Sequence, residues 1–267
     1  MTIINLTLTP RRAALIDGAD TELDILVSVS APERPEEADA PRMPLNLAIV
    51  IDRSGSMAGR PLAEAKRCAS YILEHLGPQD RAALVTFESA VTVLAPSTIA
   101  EPKEPLLRAV HSIISGGQTA LHEGWLRGAE QAAPYVSQGS IARVLLLTDG
   151  KANVGEKDPQ VLAADCARLA AAGVSTSTYG LGQNFNEELL GAMADAGGGQ
   201  AYYGETAEDL MDPFREEFDL LSAMCGRRMR LRIDPAPGVR FTVLNAYRTD
   251  PDGNTILPDL AYRAAAW

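Results

Sequence analysis

Leu45-Asn-Leu-Ala-Ile-Val-Ile51 runs directly into Asp52-Arg-Ser-Gly-Ser56, and the reading of that junction decides the fold. An apolar run of this length reads as a strand buried on both faces, the kind that parallel sheets require. Asp, Ser and Gly are turn formers, so a polar loop begins where the strand ends. Beyond it, Pro61 suits the first turn of a helix, and Leu62, Ala65, Ala69, Ile72, Leu73 and Leu76 give that helix an apolar stripe ended by Gly77-Pro78. Strand, polar loop and helix form the first unit of an α/β alternation.

The alternation continues downstream. Segments 81–87 and 91–94, separated by Glu88-Ser-Ala90, read as a hairpin. Helices are predicted over 105–114, 121–135, 159–172, 186–196 and 207–223, and strands over 143–147, 174–179 and 201–203. The expected architecture is a Rossmann-like, doubly wound, mostly parallel sheet with one antiparallel edge strand. The flanks differ in kind: 3–9, 22–30, 228–233 and 240–247 alternate in strand fashion, with turn signals at Pro235-Ala-Pro-Gly238 and Pro251-Asp-Gly253. They are expected to build one small β-sandwich around the α/β unit. The domain reading is therefore 1–43, 44–223 and 224–267, with the Pro- and Glu-rich stretch 31–44 as entry linker. The terminal Ala264-Ala-Ala-Trp267 reads as a break within a strand or domain.

Three distant segments carry the chemistry: Asp52-x-Ser54-x-Ser56, Thr119 just after Gly116-Gly117-Gln118, and Thr148-Asp149-Gly150. Each alone is a turn with side-chain caps. Together they fall at strand ends or helix starts within a single alternation, in an order that lets them converge. Two carboxylates and three hydroxyls, with no Cys or His, suit a hard divalent cation: Mg2+, with Mn2+ or Ca2+ as alternatives. In an open sheet, ligands bind beyond the carboxyl ends of the strands where strand order reverses, so Asp52 and Asp149 would face one crevice if their strands are central neighbours. Ser54, Ser56 and Thr119 add donors without adding charge, which leaves the ion able to accept an outside carboxylate. Arg53, Met57, Gln118, His122, Lys151 and Asn153 flank these positions and are candidate partner contacts at the rim. His75 and His111 read as helix-surface residues. Gly197-Gly-Gly199 precedes a strand, unlike a phosphate loop, which precedes a helix.

This combination resembles the von Willebrand factor type A family, whose metal-ion-dependent adhesion site has the form Asp-x-Ser-x-Ser, a Thr and a later Asp. The resemblance covers about 45–221. It implies that Ser54, Ser56 and Thr119 coordinate the ion directly, that Asp52 and Asp149 act directly or through water, and that a partner's Asp or Glu fills the open position. The flanks are similar to bacterial members whose A domain is embedded in a β-sandwich.

Composition narrows the alternatives. At 267 residues and 46% hydrophobic content the chain can bury a full core. A net charge of -11 disfavours nucleic acid, and the basic alternation Arg227-Arg228-Met-Arg230-Leu-Arg232 reads as the solvent side of a strand. Cys68, Cys166 and Cys225 are too few and too scattered for a zinc ribbon or disulfide framework. The N-terminus has no secretion-signal pattern and no run is of membrane-spanning length, so a soluble cytoplasmic protein is expected. An aspartyl phosphotransferase using Mg2+ would need a second acid where Ser54 stands, and a serine hydrolase would need Gly-x-Ser-x-Gly with a base in reach. A non-enzymatic, cation-dependent protein-binding module is the expected function. An adaptor role for a separate AAA+ or chelatase-type ATPase is the alternative, since this chain has no Walker A motif.

Overall fold

A computed structural model describes residues 4–12, 21–31, 43–182, 185–226, 229–245, 247, 249–257 and 260–261. Most of the predicted linker, Arg227-Arg228 and residues 262–267 lie outside them. The chain divides into two compact units, Met43–Asp219 and a second made of Met1–Arg42 with Leu220–Trp267.

In the second unit, β1 (Asn5–Pro10) and β2 (Ile25–Ser30) pair antiparallel, with Asn5 opposite Ser30 and Pro10 opposite Ile25. The larger unit begins with β3 (Leu45–Asp52), α1 (Arg60–His75), β4 (Arg81–Phe87), β5 (Val91–Ile99) and α2 (Glu104–His111). It continues with α3 (Leu121–Ala132), β6 (Ile141–Thr148), α4 (Pro159–Ala171), β7 (Val174–Leu181), α5 (Glu187–Ala196), β8 (Ala201–Gly204) and α6 (Ala207–Ser222).

The sheet order is β5-β4-β3-β6-β7-β8, parallel throughout except for the β4–β5 pair. From β3 the chain winds outward to the β5 edge, then returns to lay β6 against β3 and winds toward β8. Strand order therefore reverses between β3 and β6, and in open sheets of this kind the space beyond the carboxyl ends at such a reversal is where ligands bind. β5 runs to Ile99, past the predicted end at 94. Pro96 is tolerated because an edge strand needs hydrogen bonds on only one side. α3 stops at Ala132 and gives way to a 3-10 turn over Ala133–Gln138, where Pro134 has no N–H to continue the α pattern.

Every residue of β3 and β6 is buried. Ala48, Val50, Val144 and Leu146 pack with Trp125 of α3, Leu162 and Cys166 of α4, and Leu190 and Met193 of α5. Leu47, Ile49 and Ile51, which alternate with them, are equally buried on the opposite face. The polar exception Asn46 is satisfied: its side-chain nitrogen donates to the Ala132 carbonyl at 2.9 Å, and its oxygen accepts from Ser97 Oγ at 2.8 Å. Glycine brings α3 unusually close to the sheet, since a Cβ at Gly128 would meet Val50 Cγ2 at 2.2 Å and one at Gly124 would meet the Phe87 ring at 2.5 Å. This close seat fixes where the N-terminus of α3, and hence Thr119, meets the sheet.

The C-terminal flank contains β9 (Met224–Gly226), β10 (Arg230–Leu231), β11 (Thr255–Ile256) and β12 (Leu260–Ala261), paired as β10–β11 and β9–β12. Of the predicted strand over 228–233, the described residues carry strand only at Arg230–Leu231. Residues 240–245 carry no strand, and Val239, Phe241 and Leu244 are exposed. Alternation gives a segment a strand's pattern but supplies no ladder partner, and none pairs with 240–245 among the described residues. The described flank residues pair as three two-stranded ladders.

Candidate metal centre

β3 and β6 are parallel neighbours with Ile51 opposite Leu147, so the loops following them leave the same end of the sheet side by side. Asp52 is the last residue of β3 and is fully buried. Its Oδ1 accepts from the Ser54 backbone N–H at 2.8 Å, and its Oδ2 accepts from Thr148 Oγ1 at 2.6 Å. Thr148 Oγ1 in turn accepts from the Gly150 N–H at 2.9 Å, locking the hydroxyl toward Asp52. Burial pushes the Asp52 carboxyl up to about 6, against the pull of the Thr148 and Ser54 hydrogen bonds. Among the described residues no Lys or Arg pairs with it.

The loop carrying Ser54 and Ser56 is stitched to the loop carrying Thr119. Gly55 N–H donates to the Gly117 carbonyl at 3.0 Å, and Gly116 N–H donates to the Arg53 carbonyl at 2.8 Å. Ser54 Oγ lies 3.2 Å from Ser56 Oγ; Ser54 is buried while Ser56 opens to solvent. Gly117 adopts a left-handed φ of 73° directly over Glu88, where any Cβ would lie 1.6 Å from Glu88 Oε2. The left-handed φ favours glycine there, and any larger residue would also have to push the Glu88 carboxylate aside.

Thr119 is buried, and its loop is fastened to the loop that begins at Asp149. Its N–H donates to Asn153 Oδ1 at 2.8 Å, and its carbonyl accepts from the N–H groups of Asn153 and Val154, each at 3.2 Å. Asp149 is itself buried; its Oδ1 accepts from the Lys151 N–H at 3.2 Å, its Oδ2 lies 3.7 Å from Lys151 Nζ, and its carbonyl accepts from the Asn186 N–H. The three segments therefore close a ring: the 52–56 loop bonds the 116–119 loop, which bonds the 149–154 loop, while Thr148 bonds back to Asp52.

The rim residues divide. Gln118 and Lys151 are exposed, and Lys151 holds its ammonium over Asp149. Arg53 is held inward by Glu88 Oε1 at 3.1 Å and the Ile114 carbonyl at 3.3 Å. His122 pairs with Asp165 at 2.9 Å and stacks on Trp125. Met57 corrects the expectation, because its side chain is fully buried and belongs to the core. Thr148 was missed: read as part of a turn, it is the hydroxyl that orients Asp52, and a polar residue closing an apolar strand was the available signal.

The donor set fits a hard cation. It combines a desolvated carboxylate with no cationic partner among the described residues, a second carboxylate, and hydroxyls that add no charge. Among the described residues no three His, Cys, Asp or Glu side chains gather, so a cation here would rely on the hydroxyls as well as the carboxylates. Burial lifts the thiols of Cys68 and Cys166 to about 12, which leaves them protonated and chemically quiet. Among the described residues no helix is long and apolar enough to cross a membrane.

The family model for the von Willebrand factor type A domain matches residues 46–216. An uncharacterized protein of Synechocystis sp. is 27% identical over 207 residues, covering 76% of this chain and 48% of that protein. Human inter-alpha-trypsin inhibitor heavy chain H3 is 31% identical over 188 residues, 66% of this chain and 21% of its own length. The chain thus spans less than half of either relative. Among solved structures, a von Willebrand factor type A protein from Catenulispora acidiphila aligns with a TM-score of 0.57 at 19% identity, covering 85% of this chain and 50% of that one. Proximal thread matrix protein 1 from the mussel byssus, with a zinc-occupied metal-ion-dependent adhesion site, aligns at 0.55 and 19% identity, covering 67% of this chain and 48% of that one.

Proposed function

The chain belongs to the von Willebrand factor type A domain family, and from that premise we propose that it is a non-enzymatic module that binds a protein partner through a divalent cation. Asp52, Ser54, Ser56, Thr119 and Asp149 would hold the ion, with Mg2+ the first expectation and Mn2+ or Ca2+ the alternatives. Bound there, the ion supplies a Lewis-acidic position for an outside carboxylate, which a partner's Asp or Glu would occupy.

The observation that carries this reading is the hydrogen-bonded ring of three loops around Asp52. It brings together, at the β3–β6 reversal, the three loops that carry these five side chains, and among the described residues it leaves a buried carboxylate without a cation of its own. The zinc-occupied adhesion site of the mussel protein is a precedent for a divalent ion in such a fold, and says nothing of which metal this chain prefers.

Thermal unfolding tests the reading. The wild type should be stabilised by about 2.7 kcal/mol when Mg2+ or Mn2+ stands at about a hundred times its dissociation constant, relative to EDTA. Asp149→Ala should fold and lose that response. A wild-type chain indifferent to all three metals, or an Asp149→Ala variant that still captures its partner in EDTA, would sink it.

A further inference from the structure

We infer that Asn153 is a positioning residue for the cation, holding Thr119 in coordinating register from the loop that carries Asp149. This rests on the cation-site reading above and adds to it a residue that does not touch the ion.

The backbone of Thr119 is gripped from both sides. Asn153 Oδ1 accepts its N–H at 2.8 Å, and Asn153 N–H donates to its carbonyl at 3.2 Å, joined by the Val154 N–H at the same distance. One residue thus takes both polar groups of the peptide units flanking the Thr119 Cα, which fixes the direction in which the Thr119 hydroxyl leaves the chain. The segment has other anchors, Gly116 N–H to the Arg53 carbonyl at 2.8 Å, Gly55 N–H to the Gly117 carbonyl at 3.0 Å, Gln118 N–H to Ser89 Oγ at 2.9 Å and Ala120 N–H to the Glu88 carbonyl at 2.8 Å, but each holds a neighbouring residue and not Thr119 itself. Gly116 and Gly117 precede Thr119, so the segment has little intrinsic stiffness and depends on such external bonds.

The grip also links two donors. Asn153 and Asp149 belong to one loop, whose start is held by the Asn186 N–H on the Asp149 carbonyl. Thr119 and Asp149 are therefore positioned together, although α3 and β6 separate them along the chain. Residues of this kind, which orient ligands from outside the coordination sphere, typically change metal affinity by about 10–100-fold when removed. Asn153 itself is solvent-exposed, so its truncation should leave the core intact.

The test titrates Mn2+ alone into wild type, Asn153→Ala, Asn153→Asp, Thr119→Ala and the Asn153→Ala/Thr119→Ala double variant, by calorimetry, with urea unfolding in EDTA alongside. The expectation is a roughly tenfold or greater weakening in Asn153→Ala, recovery in Asn153→Asp, which retains the accepting oxygen, and non-additivity in the cycle: once the Thr119 hydroxyl is gone, losing Asn153 should cost the ion little more. Wild-type affinity in Asn153→Ala would overturn the proposal. So would additive losses, since a residue that merely stabilises the fold weakens binding whether or not the Thr119 hydroxyl is present. If Asn153→Ala does not fold, Asn153→Ser takes its place in the same cycle. A wild-type chain that takes no Mn2+ would overturn the site reading and this proposal with it. Mn2+ binding by the wild type, unchanged in the variant, would overturn this proposal alone.

Discussion

Among the buried carboxylates at the central sheet, Glu217 and Asp52 differ in one respect. Glu217 of α6 accepts from Arg143 Nη1, Ser177 Oγ and Tyr179 Oη, and Arg143 Nε donates to Ser175 Oγ at 2.9 Å. The network is closed, with the charge matched by a guanidinium equally withdrawn from solvent. Asp52 at the end of β3 is as deeply buried and also accepts a hydroxyl, yet among the described residues no cationic side chain pairs with it. Desolvation correspondingly raises its carboxyl. A buried charge matched from within joins an element to the sheet; one left unmatched marks where a cation from outside would be stabilised.

Breaking the closed network should have the largest effect. Arg143→Met leaves Glu217 buried without its counter-ion and should cost about 3–5 kcal/mol in urea unfolding. Because the network lies apart from the three loops, the loss should be the same in EDTA and in saturating Mg2+. A loss below about 1 kcal/mol would mean that Glu217 is not held by this pair, and the contrast with Asp52 would fail.

Removing the unmatched charge should act in the opposite direction. The Asp52 carboxyl is raised from 3.8 to about 6 in the folded protein, so the metal-free native state holds its proton more tightly than the unfolded chain. Stability is then undiminished below about pH 4, falls as pH rises between about 4 and 6, and carries the full penalty above that window. Asp52→Asn in EDTA should therefore be more stable than wild type at pH 7 by about 1–3 kcal/mol, with a flatter profile across that window. It should also lose stabilisation by Mg2+. A variant less stable than wild type in EDTA would show that the hydrogen bonds from Ser54 and Thr148 outweigh desolvation.

The difference between these regions also explains what could be read from the sequence. The apolar runs of β3 and β6, the Pro61 start of α1 and the turn residues after Ile51 all act locally, and they were enough to place Asp52, Ser54, Ser56, Thr119 and Asp149 in one αβ alternation. Long-range pairing was less accessible. Arg143 read simply as the first residue of a strand, since nothing near it in sequence announces Glu217, 74 positions away. Thr148 looked like a turn residue because its partner Asp52 is 96 positions away. Met57 looked like rim because loop position does not reveal burial. In the flanks, alternation was visible over 240–247, but strand formation depends on a neighbour that the pattern does not specify.

The smallest expected effect sharpens the comparison at its open end. Asp149, unlike Asp52, already has a cation nearby: Lys151 Nζ lies 3.7 Å from its Oδ2, on a side chain that is 48% exposed. With the lysine half in solvent and 3.7 Å away, the pair is screened and worth about 1 kcal/mol or less, so it does little for the fold, but an ion entering the site must displace or tolerate that ammonium. Lys151→Met should accordingly tighten Mg2+ binding by roughly two- to fivefold, with stability in EDTA changed by less than about 1 kcal/mol. The gain should shrink as ionic strength rises, because screening weakens an exposed charge more than a buried one. If the variant instead binds Mg2+ more weakly, Lys151 helps to shape the site and does not compete for it. The unmatched charge would then belong to Asp52 and Asp149 together, with Lys151 as part of their frame.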